Sequence, residues 1–246
     1  MMEIIRSEWT KIRSVRSTVW TLAATALLML GIGVLLCVAV VNSSSPPPDA
    51  AAGVRLPLAG VMFAPVAIAT FGVLVISSEY RTGAIRVSLM AVPQRLKLLA
   101  GKVVVFTAVS LVVSMATAFV TFWVGQAILG AATLSDPGAL RTVVGVGLYL
   151  TASGLFGLAL GALVRHTPGA VVAAMMLMLV LPQVTTMLPG TWGATVHKYF
   201  TTNAGIQVAT PTGGDALGPW AGYGVYLGWI AVTMIAAAVL LKRRDA

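Results

Sequence analysis

The sequence predicts an all-α integral membrane protein. It reads as one membrane domain over residues 1–246, with six transmembrane helices, an amphipathic N-terminal helix at the interface, and a short helix between spans 2 and 3. Three observations carry this. The chain is 58% hydrophobic and only 9% charged, where soluble domains carry about a quarter charged residues. Six uncharged runs reach the ~20 residues that cross a bilayer. The Lys and Arg residues collect beside alternate ends of those runs.

The runs are 18–41, 56–77, 103–129, 143–164, 168–188 and 221–241. Basic residues precede the first, as in a secretion signal, and Ala50-Ala51-Ala52 imitates a cleavage site. Signal h-regions span only about 7–15 residues, so this longer run reads as a retained span. With both termini in the cytoplasm, thirteen of the sixteen Lys and Arg residues lie inside and three (Arg55, Arg141 and Lys198) lie outside. That asymmetry sets the expected orientation in the cytoplasmic membrane. It also explains the net charge of +9, which in a soluble chain would suggest nucleic acid. No span carries a charge, so neither a proton relay nor a voltage sensor is indicated. Cys37 is the only cysteine. It excludes an internal disulfide and reads as a small hydrophobe.

Residues 1–17 form the predicted interface helix. Ile5, Trp9, Ile12 and Val19 share one face, and Glu3, Arg6, Arg13 and Ser14 another, with Trp9 at headgroup depth. Glu8 and Arg16 intrude near the apolar edge and are expected to snorkel to water. The first outer loop, residues 42–55, contains Ser43-Ser44-Ser45-Pro46-Pro47-Pro48 and reads as a flexible or polyproline connector. The last outer segment, residues 189–220, is too apolar for a plain loop. It carries Trp192, Val196, Tyr199, Phe200, Ile206 and Val208, so short helices on or in the outer leaflet are expected, with non-helical backbone shielded by protein.

Span 3 bears a hydroxyl stripe, Thr107, Ser110, Ser114, Thr117 and Thr121, at spacings of three and four, continued by Gly125. Small hydroxyl residues let helices approach and hydrogen-bond across a contact. They could equally line a polar pathway, and both readings stand at this point. Span 4 carries Gly147, Gly154 and Gly161 seven apart, with Gly157 completing Gly157-x-x-x-Gly161, a pattern for close helix crossing. Pro182, followed by Gln183, Thr185 and Thr186, predicts a kink in span 5. Met175, Met176 and Met178 read as adaptable filler.

Enzyme signatures are missing from the sequence. His166 and His197 are assigned to opposite sides of the membrane, and no metal-ligand spacing or phosphate-binding glycine loop occurs. Ser153 has no histidine at membrane depth to activate it. This chain is therefore expected to bind no metal or cofactor of its own.

The most informative stretch is the charged island from Ser78 to Lys102. It holds five of the sixteen basic residues, with Glu79 as its one acid. Gly83 and Pro93 punctuate it, and Ile85, Leu89 and Val92 recur between them at helical spacing. Glu79 closes span 2. Tyr80-Arg81-Thr82-Gly83-Ala84-Ile85-Arg86 follows, and Pro93-x-Arg95 leads to Lys102 at the head of span 3. This arrangement resembles the permease subunits of type-2 ATP-binding-cassette exporters. The usual pattern there is Glu-aromatic-Arg-x-Gly-Thr-Ile, and Ala84 departs from it by lacking the hydroxyl. In outline the resemblance covers the whole chain, and Tyr199-Phe200 and Asn203-Ala204-Gly205 share it.

The resemblance implies a partnership. Two permease subunits pair, as a homodimer or with a relative, above two separate ATPase subunits that bind ATP and Mg. A cytoplasmic coupling helix at about residues 82–91 would sit in a cleft of each ATPase. Glu79, Tyr80, Arg81, Thr82, Gly83, Arg86 and Leu89 are the expected coupling residues. Arg81 and Arg86 would meet acidic partner groups and Glu79 a basic one. Charge-free spans imply a hydrophobic or amphiphilic cargo rather than a strongly ionic one. Two other functions remain at this stage: a non-transporting scaffold or lipid-binding assembly factor that docks a different cytoplasmic protein, and an intramembrane enzyme.

Overall fold

One helix forms the post around which the others stand. In the computed structural model, residues 2–14, 16–43, 47–83, 95–210 and 217–243 are described, of which 14, 16, 95 and 242 by backbone alone. All regular elements among them are helical. They are α1 (Met2–Ser14), α2 (Arg16–Val41), α3 (Ala50–Arg55), a 3-10 segment (Pro57–Met62), α4 (Ala64–Thr82), α5 (Arg95–Leu129) and α6 (Ala139–Val164), followed by α7 (Thr167–Met175), a π turn (Met176–Val180) and α8 (Leu181–Val184). A short 3-10 turn (Thr185–Met187), α9 (Gly190–Tyr199), α10 (Thr201–Gly205), a further 3-10 segment (Ile206–Ala209) and α11 (Pro219–Arg243) complete the order. The post is α6: its most apolar stretch is 83% buried, against 22–28% for the other long apolar helices. It packs against α4, α5, α7 and α11.

Among the described residues, five helices are long and apolar enough to cross a membrane: Ser17–Val41, Leu96–Leu129, Ala139–Val164, Thr167–Met187 and Pro219–Leu241. They match five of the six predicted runs. The sixth, 56–77, is not one continuous helix. It divides into the 3-10 segment and α4, because Pro57 and Pro65 supply no N–H to a continuous α-ladder at its start. From Ser78, α4 runs on into polar Glu79-Tyr80-Arg81-Thr82. Its uncharged part, residues 64–78, is only about 22 Å long at ~1.5 Å per residue.

Glycine fixes the spacing of α4 on α6. A Cβ on Gly72 would overlap Gly154 O, and one on Gly157 would overlap Ala69 O. The two backbones are therefore in contact, which small residues alone permit. Phe71 and Phe106 stack with centroids 5.0 Å apart and join α4 to α5.

The expected connector holds structure, and the last outer segment forms short helices as expected. Residues 50–55 of the supposed connector form α3, started by Asp49, whose carboxylate accepts from Ala52 N at 2.6 Å. Gln126 Nε2 donates to Gly53 O at 2.7 Å. The segment after span 5 folds as α9, α10 and a 3-10 turn. Before Pro182 the helix is irregular, and two of its carbonyls are satisfied from α10. The π turn precedes Pro182, and Thr201 and Thr202 on α10 donate to Leu177 O at 2.7 Å and Met178 O at 3.0 Å. These carbonyls lie four residues before Leu181 and Pro182, where the α-ladder is interrupted.

The ends of the bundle are distinct. At one end lie Glu8, Lys11, Glu79 and Lys102, together with Tyr80 and Arg165. Arg165 also donates to Leu240 O at 3.1 Å, which brings the end of α11 to the same place. At the other, Gln126 meets α3 and Arg141 donates to Thr210 O at 2.8 Å. The described parts of α1, the end of α4, the start of α5, Arg165 and the end of α11 thus share one end.

Candidate functional site

The charged end is built from three helices that are remote in sequence. On α1, Ile4, Glu8 and Ile12 recur every fourth residue and are buried. The apolar face expected of Ile5, Trp9, Ile12 and Val19 is divided: Ile12 is buried, Trp9 is 52% exposed and Val19 belongs to α2. Ile4 seats against Gly101 of α5, where a Cβ would lie 2.6 Å from Ile4 Cγ2. Glu8 therefore does not snorkel. Packing of the residues on either side carries it inward to 0% exposure.

Its partners arrive from elsewhere. Lys102, near the start of α5, donates to Glu8 Oε2 and, at 2.9 Å, to Glu79 Oε1. Lys11 donates to Glu8 Oε1 at 2.7 Å and to Glu79 Oε1 at 2.9 Å. Two carboxylates and two ammoniums thus close a ring across α1, α4 and α5. Burial alone would raise the Glu8 carboxyl pKa, but the Lys102 charge and the hydrogen bonds from Lys102 and Lys11 outweigh it and hold it below 4.5. Burial likewise pushes Lys11 down, and its bonds to Glu8 and Glu79 reverse the shift to above 10.5. A buried pair is favourable only when its geometry and hydrogen bonds offset desolvation. One oxygen, Glu79 Oε2, is buried with no hydrogen-bond partner among the described residues.

Beside the ring is a cavity of about 380 Å³. Ile12, Phe71, Leu74 and Val75 form apolar wall. Glu8, Glu79, Lys11 and Lys102 line its charged side, and Ser17, Ser78, Arg81 and Thr82 also border it.

The expected coupling residues divide by direction. Glu79 is corrected from partner-facing to inward: it is 7% exposed and holds Lys11 and Lys102. Tyr80 turns to the post, with the Arg165 guanidinium 5.1 Å from its ring centroid. Arg165 caps α6 in the left-handed conformation, with φ 58°. Arg81 and Thr82 are exposed. Gly83 ends α4 with φ 71°, a conformation open to glycine at little cost. Arg86, Leu89 and the body of the expected coupling helix lie outside the described residues.

The stripe on α5 faces inward. Ser110, Ser114, Thr117 and Thr121 are buried, and Thr107 is half-buried. Thr107 and Ser110 donate to the carbonyls of Val103 and Phe106 on their own helix. Thr121 Cγ2 lies 3.2 Å from where Gly33 of α2 would carry a Cβ. On α6, Gly147 and Gly154 receive Met115 and Phe106 of α5, while Gly157 and Gly161 receive α4. Both patterns lie within contacts of this one chain.

Sequence reasoning missed Glu8, Lys11 and Lys102 as one unit. The available signal was an acid in the middle of the stripe Ile4-Glu8-Ile12, with a lysine three residues on and another heading the third span.

A family model described as ABC-2 family transporter protein matches residues 4–181. It covers all four members of the ring and every helix from α1 to the π turn. The chain belongs to the ABC-2 transporter family. As an ABC-2 transporter chain it is a multi-pass membrane permease and a component of membrane transport. No curated protein matches it at a significant level.

Proposed function

We propose that this ABC-2 permease is the membrane half of an ATP-driven exporter, working with a separate ATPase subunit and a second permease copy. The 3-10 segment and α4 together make the sixth span, both termini and the charged end face the cytoplasm, and α1 lies along that interface. ATP and Mg belong to the partner. The cargo is hydrophobic or amphiphilic, in keeping with spans that carry no charge.

The observation that carries this reading is the two-sided end of α4. Arg81 and Thr82 point outward, where a partner docks. Glu79 and Tyr80, their immediate neighbours, grip α1 and α5 through the ring and α6 through Arg165. A push on the outward residues reaches α1 and α5 through short charge-assisted hydrogen bonds and α6 through a cation–π contact. A passive scaffold has no need of that division. Co-purification tests the reading: the tagged permease should bring down an ATPase subunit, and reconstituted vesicles should move a fluorescent amphiphile only with ATP. A permease that moves cargo without an ATPase would refute it.

A further inference from the structure

The charges around the cavity differ in what they show at its surface. The carboxylates are withdrawn. The Glu8 and Glu79 side chains are 1% and 9% exposed, each oxygen of Glu8 is held by a lysine, and Glu79 Oε2 is sealed from solvent. The accessible charges are positive. Lys11 is 38% exposed, and Arg81 stands exposed at the border with no partner among the described residues. Ser17 and Thr82, also exposed, border the same mouth. A cleft that shows one sign of charge between low-dielectric walls concentrates ions of the opposite sign. Deeper in, the wall is apolar, from Ile12, Phe71, Leu74 and Val75. The volume of about 380 Å³ lies at the small end of ligand sites and suits a slender ligand.

We propose that this cavity binds one alkyl chain with an anionic head, a phosphate or carboxylate held by the Arg81 guanidinium at the mouth and the chain lying against Ile12, Phe71, Leu74 and Val75. The planar fork of Arg81 offers paired N–H donors to two oxygens of one head, which a lysine cannot do. The Ser17 hydroxyl, at the same border, can add a donor. A cationic head finds no accessible carboxylate here and meets Arg81 and Lys11 instead. Two sources share this chemistry: a phospholipid of the surrounding leaflet that inserts one chain and presents its phosphate, and a free single-chain amphiphile such as an alkyl phosphate. The site lies within one chain and needs neither ATPase nor second copy, so its failure would leave the exporter reading standing. The experiment is run without an ATPase, so docking at Arg81 does not enter it.

The test uses the purified full-length chain in a nonionic detergent, titrated with dodecyl phosphate, dodecyltrimethylammonium and inorganic phosphate. Calorimetry reads affinity and stoichiometry, and melting temperature reads folding. Dodecyl phosphate should bind once per chain. It should bind roughly tenfold more tightly than dodecyltrimethylammonium, the worth of a charge-assisted bond, and more tightly than inorganic phosphate, which has no chain to bury. Arg81→Gln, at an exposed position, should fold and lose the preference for the phosphate head, while Arg81→Lys should keep part of it. Leu74→Trp leaves Arg81 in place but fills the apolar wall, and should weaken dodecyl phosphate to the level of inorganic phosphate. Equal affinity for the phosphate and ammonium amphiphiles would overturn the proposal. So would several dodecyl phosphates per chain with no loss in Arg81→Gln, which is what a diffuse net charge of +9 would give. Inorganic phosphate bound as tightly as dodecyl phosphate would reduce the site to a lone guanidinium and overturn it too. Native mass spectrometry in mixed lipid then separates the sources. One phosphatidylglycerol retained per chain, displaced by dodecyl phosphate and lost in Arg81→Gln, identifies the lipid. Tight dodecyl phosphate binding with no retained phospholipid identifies a free amphiphile.

Discussion

Lys102 on α5 donates to Glu8 on α1 across 94 positions of sequence, and the two side chains are 3% and 1% exposed. The pair fastens the N-terminal helix to the bundle. Its energetics are those of a buried ion pair, in which losing one member costs far more than losing both. Lys102→Met leaves Glu8 and Glu79 facing each other with only the partly exposed Lys11 between them. It should lower stability by about 3–5 kcal/mol. Glu8→Met with Lys102→Met leaves Glu79 its bond to Lys11 and should recover most of that loss. Thermal unfolding in detergent compares the three proteins. A double variant no better than Lys102→Met would show that the pair is not the unit of stability.

The ring also sets a pH window for docking of α1. The Glu8 carboxyl titrates below 4.5 in the folded chain. Its contribution is therefore present above 4.5 and lost as pH falls through the lower, folded value. Lys11 titrates above 10.5, so its contribution is present below 10.5 and lost as pH rises through the higher, folded value. Hydrogen exchange of the α1 amides, corrected for intrinsic rates, should be flat between these limits and rise on both sides. Loss of protection near neutral pH would mean that some other group controls docking.

How much of this was legible in the sequence follows from what each feature depends on. Spans are local: an uncharged run of sufficient length in 18–41 or 143–164 needs no knowledge of the rest of the chain. The interruption at the start of 56–77 was local too, signalled by Pro57 and Pro65, but hydropathy sums over prolines. The glycine contacts were half legible. The spacing of Gly157 and Gly161 announced a close crossing, while only the fold shows that α4 of the same chain occupies it. The ring was the least legible. Glu8 pairs with Lys102, 94 positions away, and on α1 alone an acid at the apolar edge is indistinguishable from one that reaches water. The coupling motif was read from a resemblance that marks residues but not their directions, so Glu79 and Arg81 looked alike.

The backbone contact of α4 and α6 gives a packing test with an internal control. Gly157→Ala places a methyl into Ala69 O. It should cost about 1–3 kcal/mol, as overpacking does. Gly31→Ala on α2 meets nothing within 4 Å and should be neutral or slightly stabilising, since alanine favours helix by up to ~1 kcal/mol. Melting temperatures of the two variants should move in opposite directions or differ by several degrees. Equal shifts would place the helices further apart than the structure does.

Orientation can be checked without purification. Single cysteines at Ser43 and Lys198, in a Cys37→Ala background, should react with a membrane-impermeant maleimide in intact cells. Cysteines at Thr82 and Arg243 should react only after lysis. The expectation rests on thirteen basic residues against three, and on the structure's gathering of Tyr80, Arg165 and Leu240 at one end. Labelling at Thr82 but not at Ser43 in intact cells would invert the protein in its membrane.

The division at the end of α4 makes the sharpest prediction, because two neighbouring residues should fail differently. Arg81 is exposed at the border of the cavity, so Arg81→Glu changes a surface and removes none of the ring's own bonds. Like charge at an interface costs on the order of a few kcal/mol. This variant should insert and melt normally, yet co-purify with at least about tenfold less ATPase and transport less. Arg86→Glu, on the following segment, should do the same if that segment continues the docking surface. Glu79→Gln is the opposite case. It keeps shape and hydrogen-bonding capacity but removes a charge shared by Lys11 and Lys102. ATPase should still co-purify, because the docking surface is intact, while hydrogen exchange in α1 rises and ATP hydrolysis no longer drives transport. The measurement is a pair of ratios for each variant: ATPase bound per permease, and cargo moved per ATP hydrolysed. Arg81→Glu should lower the first and Glu79→Gln the second. If both variants lower the same ratio, the outward and inward residues are not separate parts, and the path from Arg81 through Glu79 to α1 and α5 is wrong.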